Sequence, residues 1–63
     1  MKARTPLSPR QCEIISQVAR GRTDKEVSSL LKISEGTIKN HFTKIFKRLR
    51  ARSRAHAVFL FYR

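Results

Sequence analysis

Residues 34–49 constrain the fold of this chain more than any other segment, because their apolar side chains recur at helical spacing. The apolar positions follow one another at steps of four, three and four residues: Ile38, Phe42, Ile45 and Leu49. Such spacing places one apolar stripe along one side of an α-helix. Ser34 stands just before the stripe and carries the hydroxyl that an N-cap needs. The segment therefore predicts an amphipathic helix that packs on a small core.

The opposite side of this predicted helix is polar and basic. At about 100° per residue, the residues on that side are Gly36, Asn40, Thr43, Lys44 and Lys47. Small and amide groups stand in its early turns, and ammonium groups stand in its later turns. That order suits a helix whose first turns meet base edges while its later turns meet phosphates. Taken alone, the same segment could also be an ordinary solvated helix.

The charge of the chain favours a polyanionic partner. Its 63 residues include 15 lysines and arginines but only four acidic residues, which gives a formal net charge of +11. Eight basic residues and no acidic residue follow Glu35. Positive charge at this density repels itself unless a polyanion neutralises it, and nucleic acid is the commonest such partner. The charge therefore predicts a nucleic acid, and together with the outer face of the helix over residues 34–49 it favours double-stranded DNA as the partner.

Residues that catalyse reactions or bind metals are few and scattered. Cys12 is the single cysteine, and His41 and His56 have no partner at metal-ligand spacing, so neither zinc nor a disulfide is expected. The four carboxylates form no paired acid–base site. We predict a non-enzyme without a cofactor. No run of about 18 apolar residues and no targeting segment is visible, so a membrane partner is not expected.

Capping signals predict two helices before residue 34. Ser8, Pro9 and Gln11 supply an N-cap, a proline for the first helical position and the far end of a capping box. Thr23 and Glu26 repeat the capping-box pattern for a short second helix. The apolar positions expected to be buried are Ile14, Ile15, Val18 and Ala19 in the first helix and Val27, Leu30 and Leu31 in the second.

The connection between the second and third helices must be tight. Only Lys32 and Ile33 separate the second helix from Ser34. A short helix, a tight turn and a longer helix with a basic outer face describe a helix-turn-helix. Ser53 begins a fourth predicted helix that runs to the end of the chain. The predicted class is therefore all-α, with four helices.

Several ordered motifs also point to a known family. They are Leu7-Ser8-Pro9-Arg10, Gly21, Asp24-Lys25-Glu26-Val27, Leu31, Ile33-Ser34-Glu35-Gly36-Thr37-Ile38-Lys39-Asn40-His41 and Ser53-Arg54-Ala55. Over residues 7 to about 62, their order resembles the C-terminal DNA-binding domain of LuxR/NarL-type bacterial transcription regulators. The resemblance implies a four-helix, LuxR/NarL-like helix-turn-helix domain over residues 7–63. Residues 1–6 are expected to form a basic flexible arm.

The resemblance implies roles for individual positions. The third helix is expected to enter the major groove, where Lys39, Asn40 and Thr43 contact bases. The Asn40 amide could pair with adenine N6 and N7, and the Thr43 methyl could meet a thymine methyl. Each of these side chains could instead be a solvated surface group. The expected contacts to the DNA backbone are Thr23, Thr37, Lys44, Lys47, Arg50 and Arg52.

The chain departs from the family pattern at three informative positions. The family usually has glutamate where Gln11 stands; glutamine can still cap, but the negative charge is gone. Glycine often follows the leucine at position 49 in the family, and Arg50 stands there instead. A positive φ at Arg50 would cost about 1 kcal/mol, and the guanidinium would add a phosphate contact. His56 stands where glutamate would complete a capping box with Ser53, so the start of the fourth helix is expected to be less well capped.

The fourth helix carries apolar residues on two sides. The side expected to face the core holds Ala57, Val58 and Phe61. Ala55, Phe59 and Tyr62 recur at steps of four and three on another side. A helix that is apolar on both sides is normally buried on both, and in the family this helix commonly forms the dimer seam. We therefore expect a homodimer through this second stripe, with cover by the N-terminal arm as the alternative.

Other classes of function stay open at this stage. A helix-turn-helix module could modulate a larger regulator or RNA polymerase without binding DNA itself, but it would not need Asn40 and Thr43 among the lysines. The helix caps argue against a cationic membrane-active peptide, and the lack of an exposed aromatic platform argues against RNA. The preferred hypothesis is a sequence-specific DNA-binding transcription regulator in the bacterial cytoplasm, associated with the nucleoid and dimeric.

Overall fold

Four α-helices form the part of the chain that the computed structural model describes, residues 6–63. They are α1 (Pro9–Ala19), α2 (Asp24–Leu31), α3 (Glu35–Leu49) and α4 (Arg54–Tyr62). Because these residues contain no strand, the predicted all-α, four-helix class is confirmed. The helix expected over residues 34–50 is α3, with Ser34 as its N-cap and Arg50 as its C-cap. Residues 1–5 of the expected flexible arm lie outside the described part.

The first two helices begin at the capping boxes that the sequence predicts. The Ser8 hydroxyl accepts a hydrogen bond from the Gln11 amide at 3.2 Å, and the Gln11 side chain accepts one from the Ser8 amide at 3.1 Å. Thr23 and Glu26 make the same reciprocal pair at 3.1 and 2.8 Å. Both boxes satisfy amides that a helix start would otherwise leave unpaired.

The core lies between all four helices. Its fully buried apolar residues are Leu7, Ile14, Ile15, Val27, Ile38, Phe42, Ile45 and Ala57. The predicted stripe of α3 is confirmed, with Leu49 partly buried at its end. The prediction was wrong for Ala19 and Leu30, which are both exposed. Ala19 is the last residue of α1, and α2 has only eight residues, so Val27 and Leu31 already fill its contact with the core.

Left-handed backbone conformations end the first three helices. Gly21 follows α1 with φ +90°, Lys32 caps α2 with φ 60°, and Arg50 caps α3 with φ 57°. Glycine adopts this conformation without steric cost, whereas a side chain at the same place costs roughly 1–2 kcal/mol. The positive φ expected at Arg50 is confirmed. Lys32 is a second non-glycine residue with a positive φ, and it lies in the turn of the helix-turn-helix.

Glycine at position 50 should stabilise the fold. We expect Arg50→Gly to raise the free energy of unfolding by about 1 kcal/mol, because glycine removes the contact between Cβ and the backbone. Urea unfolding followed by circular dichroism measures this change. Arg48→Gly is the matched control, since it lies inside α3 and should lower stability by about 0.5–1 kcal/mol. Equal destabilisation by both variants would contradict the strain at Arg50.

Candidate nucleic-acid interface

The outer face of α3 is fully exposed along its length. Its exposed residues are Gly36, Lys39, Asn40, Thr43, Lys44 and Lys47. The three expected base-contacting side chains, Lys39, Asn40 and Thr43, therefore share one surface. The Thr43 hydroxyl donates to the Lys39 carbonyl at 3.2 Å, so this hydroxyl is already occupied. Its methyl group is then the part of Thr43 that is left for an apolar contact.

The start of α3 is organised by two hydroxyls. Ser34 Oγ accepts from the Thr37 amide at 3.0 Å and lies 2.9 Å from Thr37 Oγ1. A Cβ added at Gly36 would meet only Ser34 Oγ, at an ordinary 3.7 Å. Nothing in the described part of the chain therefore requires glycine at this point of the surface. Thr37 is half-buried beside the cap, at the end of α3 where the helix dipole is positive.

The start of α2 combines a phosphate-binding geometry with negative charge. Thr23 caps the helix, and the free amides and dipole of a helix start attract anions. However, Asp24 and Glu26 place two carboxylates in the same turn. Glu26 is engaged with the Thr23 amide through the capping box. Asp24 is the carboxylate of this turn that takes no part in the capping box.

Arg54, at the start of α4, pairs with this carboxylate. Its Nη1 and Nη2 atoms donate to Asp24 Oδ1 at 2.5 Å and Oδ2 at 2.9 Å. The guanidinium carbon also lies 4.3 Å from the centroid of the Phe42 ring on α3. One side chain thus joins α4, α2 and α3. These hydrogen bonds, with the nearby charges of Arg54 and Lys39, hold the pKa of Asp24 below its ordinary value against the opposing effect of burial.

The sequence patterns did not reveal this ion pair. In the sequence, Arg54 is one of the basic residues that follow Glu35, and Asp24 is an acidic residue near a predicted helix start. The two residues are 30 positions apart, so no local pattern connects them. Both residues did fall within the motifs of the family resemblance, which is the one signal that could have drawn attention to them.

The connection between α3 and α4 carries further exposed cations. Lys47, Arg50 and Arg52 are all exposed. Arg52 donates its backbone amide to His56 Nδ1 at 3.0 Å, and the His56 amide donates to Ser53 Oγ at 3.1 Å. Ser53 thus caps α4, but as expected His56 does not complete a capping box with it, because the imidazole accepts the amide one residue before the N-cap.

The second apolar stripe of α4 is exposed. Phe59 and Tyr62 are each 59% exposed, and Ala55 is exposed beside them. On the other side of the helix Ala57 is buried, with Val58 and Phe61 packed against the core. The Tyr62 ring stands edge-on to the Phe61 ring, with centroids 4.9 Å apart. The division of α4 into a core side and an outer stripe thus follows the expected spacing.

Two features are absent from residues 6–63. No three histidine, cysteine, aspartate or glutamate side chains come together there in a way that could hold a metal ion. Within the same residues, no helix has both the length and the apolar character needed to span a bilayer.

A short helix, a strained turn and a longer helix with a basic outer face define a helix-turn-helix domain. Residues 5–61 match the family of "Bacterial regulatory proteins, luxR family". The chain belongs to this family, and the resemblance to LuxR/NarL-type regulators is confirmed. It is a family of regulatory proteins.

Individual relatives are considerably longer than this chain. It is 36% identical to the transcriptional regulatory protein ComA of Bacillus subtilis over 59 residues, or 94% of the chain and 28% of ComA. Identity to the nitrate/nitrite response regulator NarP of Escherichia coli is 36% over 55 residues, 87% of the chain and 26% of NarP. The chain is 42% identical to the quorum sensing-dependent transcriptional regulator RpaR of Rhodopseudomonas palustris over 55 residues, which are 87% of the chain and 23% of RpaR. The chain thus spans about a quarter of these curated relatives.

A solved structure matches this chain over most of its length. It is the crystal structure of the anti-activator RapF complexed with the DNA-binding domain of the response regulator ComA. The match has a TM-score of 0.86 and 35% sequence identity, and it covers 90% of this chain and 98% of the matched chain. The fold of the four helices described here therefore matches nearly the whole of that chain.

Proposed function

We propose that this chain is the sequence-specific DNA-binding part of a bacterial transcription regulator. In this proposal α3 lies in the major groove, with Lys39, Asn40 and Thr43 against base edges. The observation that supports this proposal best is the outer face of α3, where exposed amide, threonine and ammonium groups follow one another. No acidic residue occurs after Glu35. The match to nearly the whole DNA-binding domain of ComA supports the same function.

Contacts to the phosphates would surround this face. Lys44, Lys47 and Arg50 are exposed at steps of three along the second half of α3 and its cap, and Arg52 continues the line of cations. Thr23 and Thr37 lie at the starts of α2 and α3, where the helix dipole and the amides that take no part in capping favour a phosphate. Together they would position the domain, while the base contacts determine sequence preference.

Base contact and phosphate contact can be separated by two alanine variants. Asn40→Ala should cost about 1–3 kcal/mol on the preferred duplex and relax the choice at one base position, because one amide pairs with one base. Lys47→Ala should weaken binding to preferred and random duplexes alike and reduce the salt slope by about one. The measurement is fluorescence anisotropy on a duplex selected from a random pool and on its single-base variants.

Arg10→Ala is the control for lost charge. Arg10 lies on α1, 3.3 Å from Glu13, so its removal also takes one positive charge from the protein but none from α3. We expect it to change neither affinity nor sequence preference appreciably. If the Asn40 and Lys47 variants both lost affinity by the same factor on every duplex, the assignment of the α3 face would be contradicted.

We also propose that the chain acts as a homodimer through Ala55, Phe59 and Tyr62. Two copies related by a two-fold axis would cover the exposed stripe of α4 and would match a partly palindromic site. A bacterial DNA partner corresponds to a location in the cytoplasm, on the nucleoid. Membership of a family of regulatory proteins supports a function without catalysis or cofactor.

Protein binding is the second candidate function. The matched ComA domain was solved with the anti-activator RapF bound to it, so a domain of this fold can be the target of another protein. For this chain, the corresponding proposal is a larger regulator or RNA polymerase as partner. Pull-down with purified RNA polymerase in the presence and absence of duplex DNA tests it, and binding that persists without DNA would favour this candidate.

A further inference from the structure

Asp24 places a carboxylate where the proposed function needs a phosphate. It is the first residue of α2, directly after the Thr23 cap, and its side chain is 16% exposed. The amides of this helix start would favour an anion from the DNA. An unbalanced carboxylate in the same turn would repel that anion. The helix start therefore attracts a phosphate more strongly when the Asp24 charge is neutralised.

Arg54 is held in a geometry that opposes this charge at both carboxylate oxygens. Both carboxylate oxygens of Asp24 receive a hydrogen bond from the guanidinium. Such two-point pairing is specific to arginine, since a lysine ammonium cannot reproduce the planar fork. The guanidinium also stacks on the Phe42 ring, which is only 2% exposed and lies in the middle of α3. The position of Arg54 is thus determined by α2 and α3 together.

A proposed base contact also acts electrostatically on this carboxylate. The charge of Lys39 acts on Asp24, and the pKa of Asp24 is lowered partly for that reason. Lys39 is exposed on the outer face of α3, and among residues 6–63 it forms no ion pair. If Arg54 were absent, the free carboxylate would compete with DNA for the Lys39 ammonium.

We propose that Arg54 is a positioning residue for DNA binding. It neutralises Asp24 and joins the start of α2 to α3 and α4, so that the helix amides and Lys39 are available to DNA. In this arrangement Arg54 does not itself contact a phosphate. The inference rests on the proposed function. It assigns the role to the Asp24–Arg54 ion pair, whereas a count of basic residues would treat Arg54 only as one more cation for DNA.

A double-mutant cycle tests the role of the pair. Arg54→Gln should lower duplex affinity by about tenfold, because it leaves an unbalanced carboxylate beside Lys39 and the helix start. Asp24→Asn should bind as tightly as the wild type or more tightly. The double variant should recover to within about threefold of the wild type, with the wild-type salt slope, because a neutral pair replaces a neutral pair.

A direct phosphate contact by Arg54 predicts a different pattern. Arg54→Gln and the double variant would then lose the same affinity, and both would lose about one unit of salt slope. That outcome would overturn the inference. Arg54→Lys keeps the charge but not the two-point pairing, so it should bind between the wild type and Arg54→Gln. Binding by Arg54→Lys that is weaker than by Arg54→Gln would also contradict it.

Folding and DNA binding are measured separately for every variant. Circular dichroism and thermal unfolding establish whether each variant is folded at the binding temperature. If Arg54→Gln is unfolded there, the double variant and Arg54→Lys decide the question by the same criteria. A wild-type chain that binds no duplex at low salt would refute the proposed function and this inference together. Binding by the wild type without rescue in the double variant would refute the inference alone.

Discussion

Duplex affinity should fall by about two to three orders of magnitude between roughly 50 and 200 mM salt. Four exposed cations that are proposed to contact phosphates carry this expectation: Lys44, Lys47, Arg50 and Arg52. Each phosphate that they neutralise releases condensed counterions, and added salt opposes that release. Because this term does not depend on sequence, preferred and random duplexes should lose affinity in parallel. Anisotropy titrations at several salt concentrations give the slope directly.

Two charge variants calibrate that slope. Lys44→Gln combined with Lys47→Gln should reduce it by about two, since two phosphate contacts are lost. Arg10→Gln should leave it unchanged, because that guanidinium is paired with Glu13 on α1. An affinity that stays constant over the same salt range would exclude DNA as the main partner. It would leave the protein-binding candidate as the better account of the basic surface.

The starts of the helices could be predicted because their signals are local. In both capping boxes the two partners stand three residues apart, so a short sequence pattern contains the whole interaction. The same holds for the outer face of α3, whose 15 residues give four turns of regular periodicity. Exposure of the proposed base contacts then follows from helical geometry alone.

Periodicity was a poorer guide where a helix is short. In the eight residues of α2, Leu30 stands next to Leu31 at the edge of the apolar stripe, and it is 52% exposed. Which of two neighbouring leucines is buried depends on the positions of α1 and α3, not on the local pattern. The positive φ of Lys32 likewise follows from how sharply α2 and α3 must be joined.

Contacts between distant residues required the folded chain. Arg54 and Asp24 meet only because α4 and α2 both pack against α3 near Phe42. The imidazole of His56 was expected to replace a glutamate cap poorly, but its Nδ1 atom reaches the Arg52 amide instead. In both cases the residue type was visible in the sequence, while its partner depended on three-dimensional placement.

Phe59→Glu should abolish paired occupancy of two half-sites while leaving the monomer folded. The Phe59 side chain is 59% exposed, so its replacement removes little from the core of one chain. In a two-fold dimer the same change places two carboxylates near each other in an apolar contact, where both lose hydration and repel. Cooperativity between half-sites, typically about 5–150-fold for coupled sites, should fall to about one. Mobility-shift titrations on duplexes with one and two half-sites measure it.

Leu30→Glu is the matched control for this variant. Leu30 is 52% exposed on α2, so it gains the same charge at a similarly exposed apolar position away from α4. The ratio of second-site to first-site affinity cancels any repulsion between the new carboxylate and DNA at a single half-site. We expect that ratio to be unchanged in Leu30→Glu and lost in Phe59→Glu. Unchanged cooperativity in Phe59→Glu would mean that two copies on DNA meet through a surface other than Ala55, Phe59 and Tyr62.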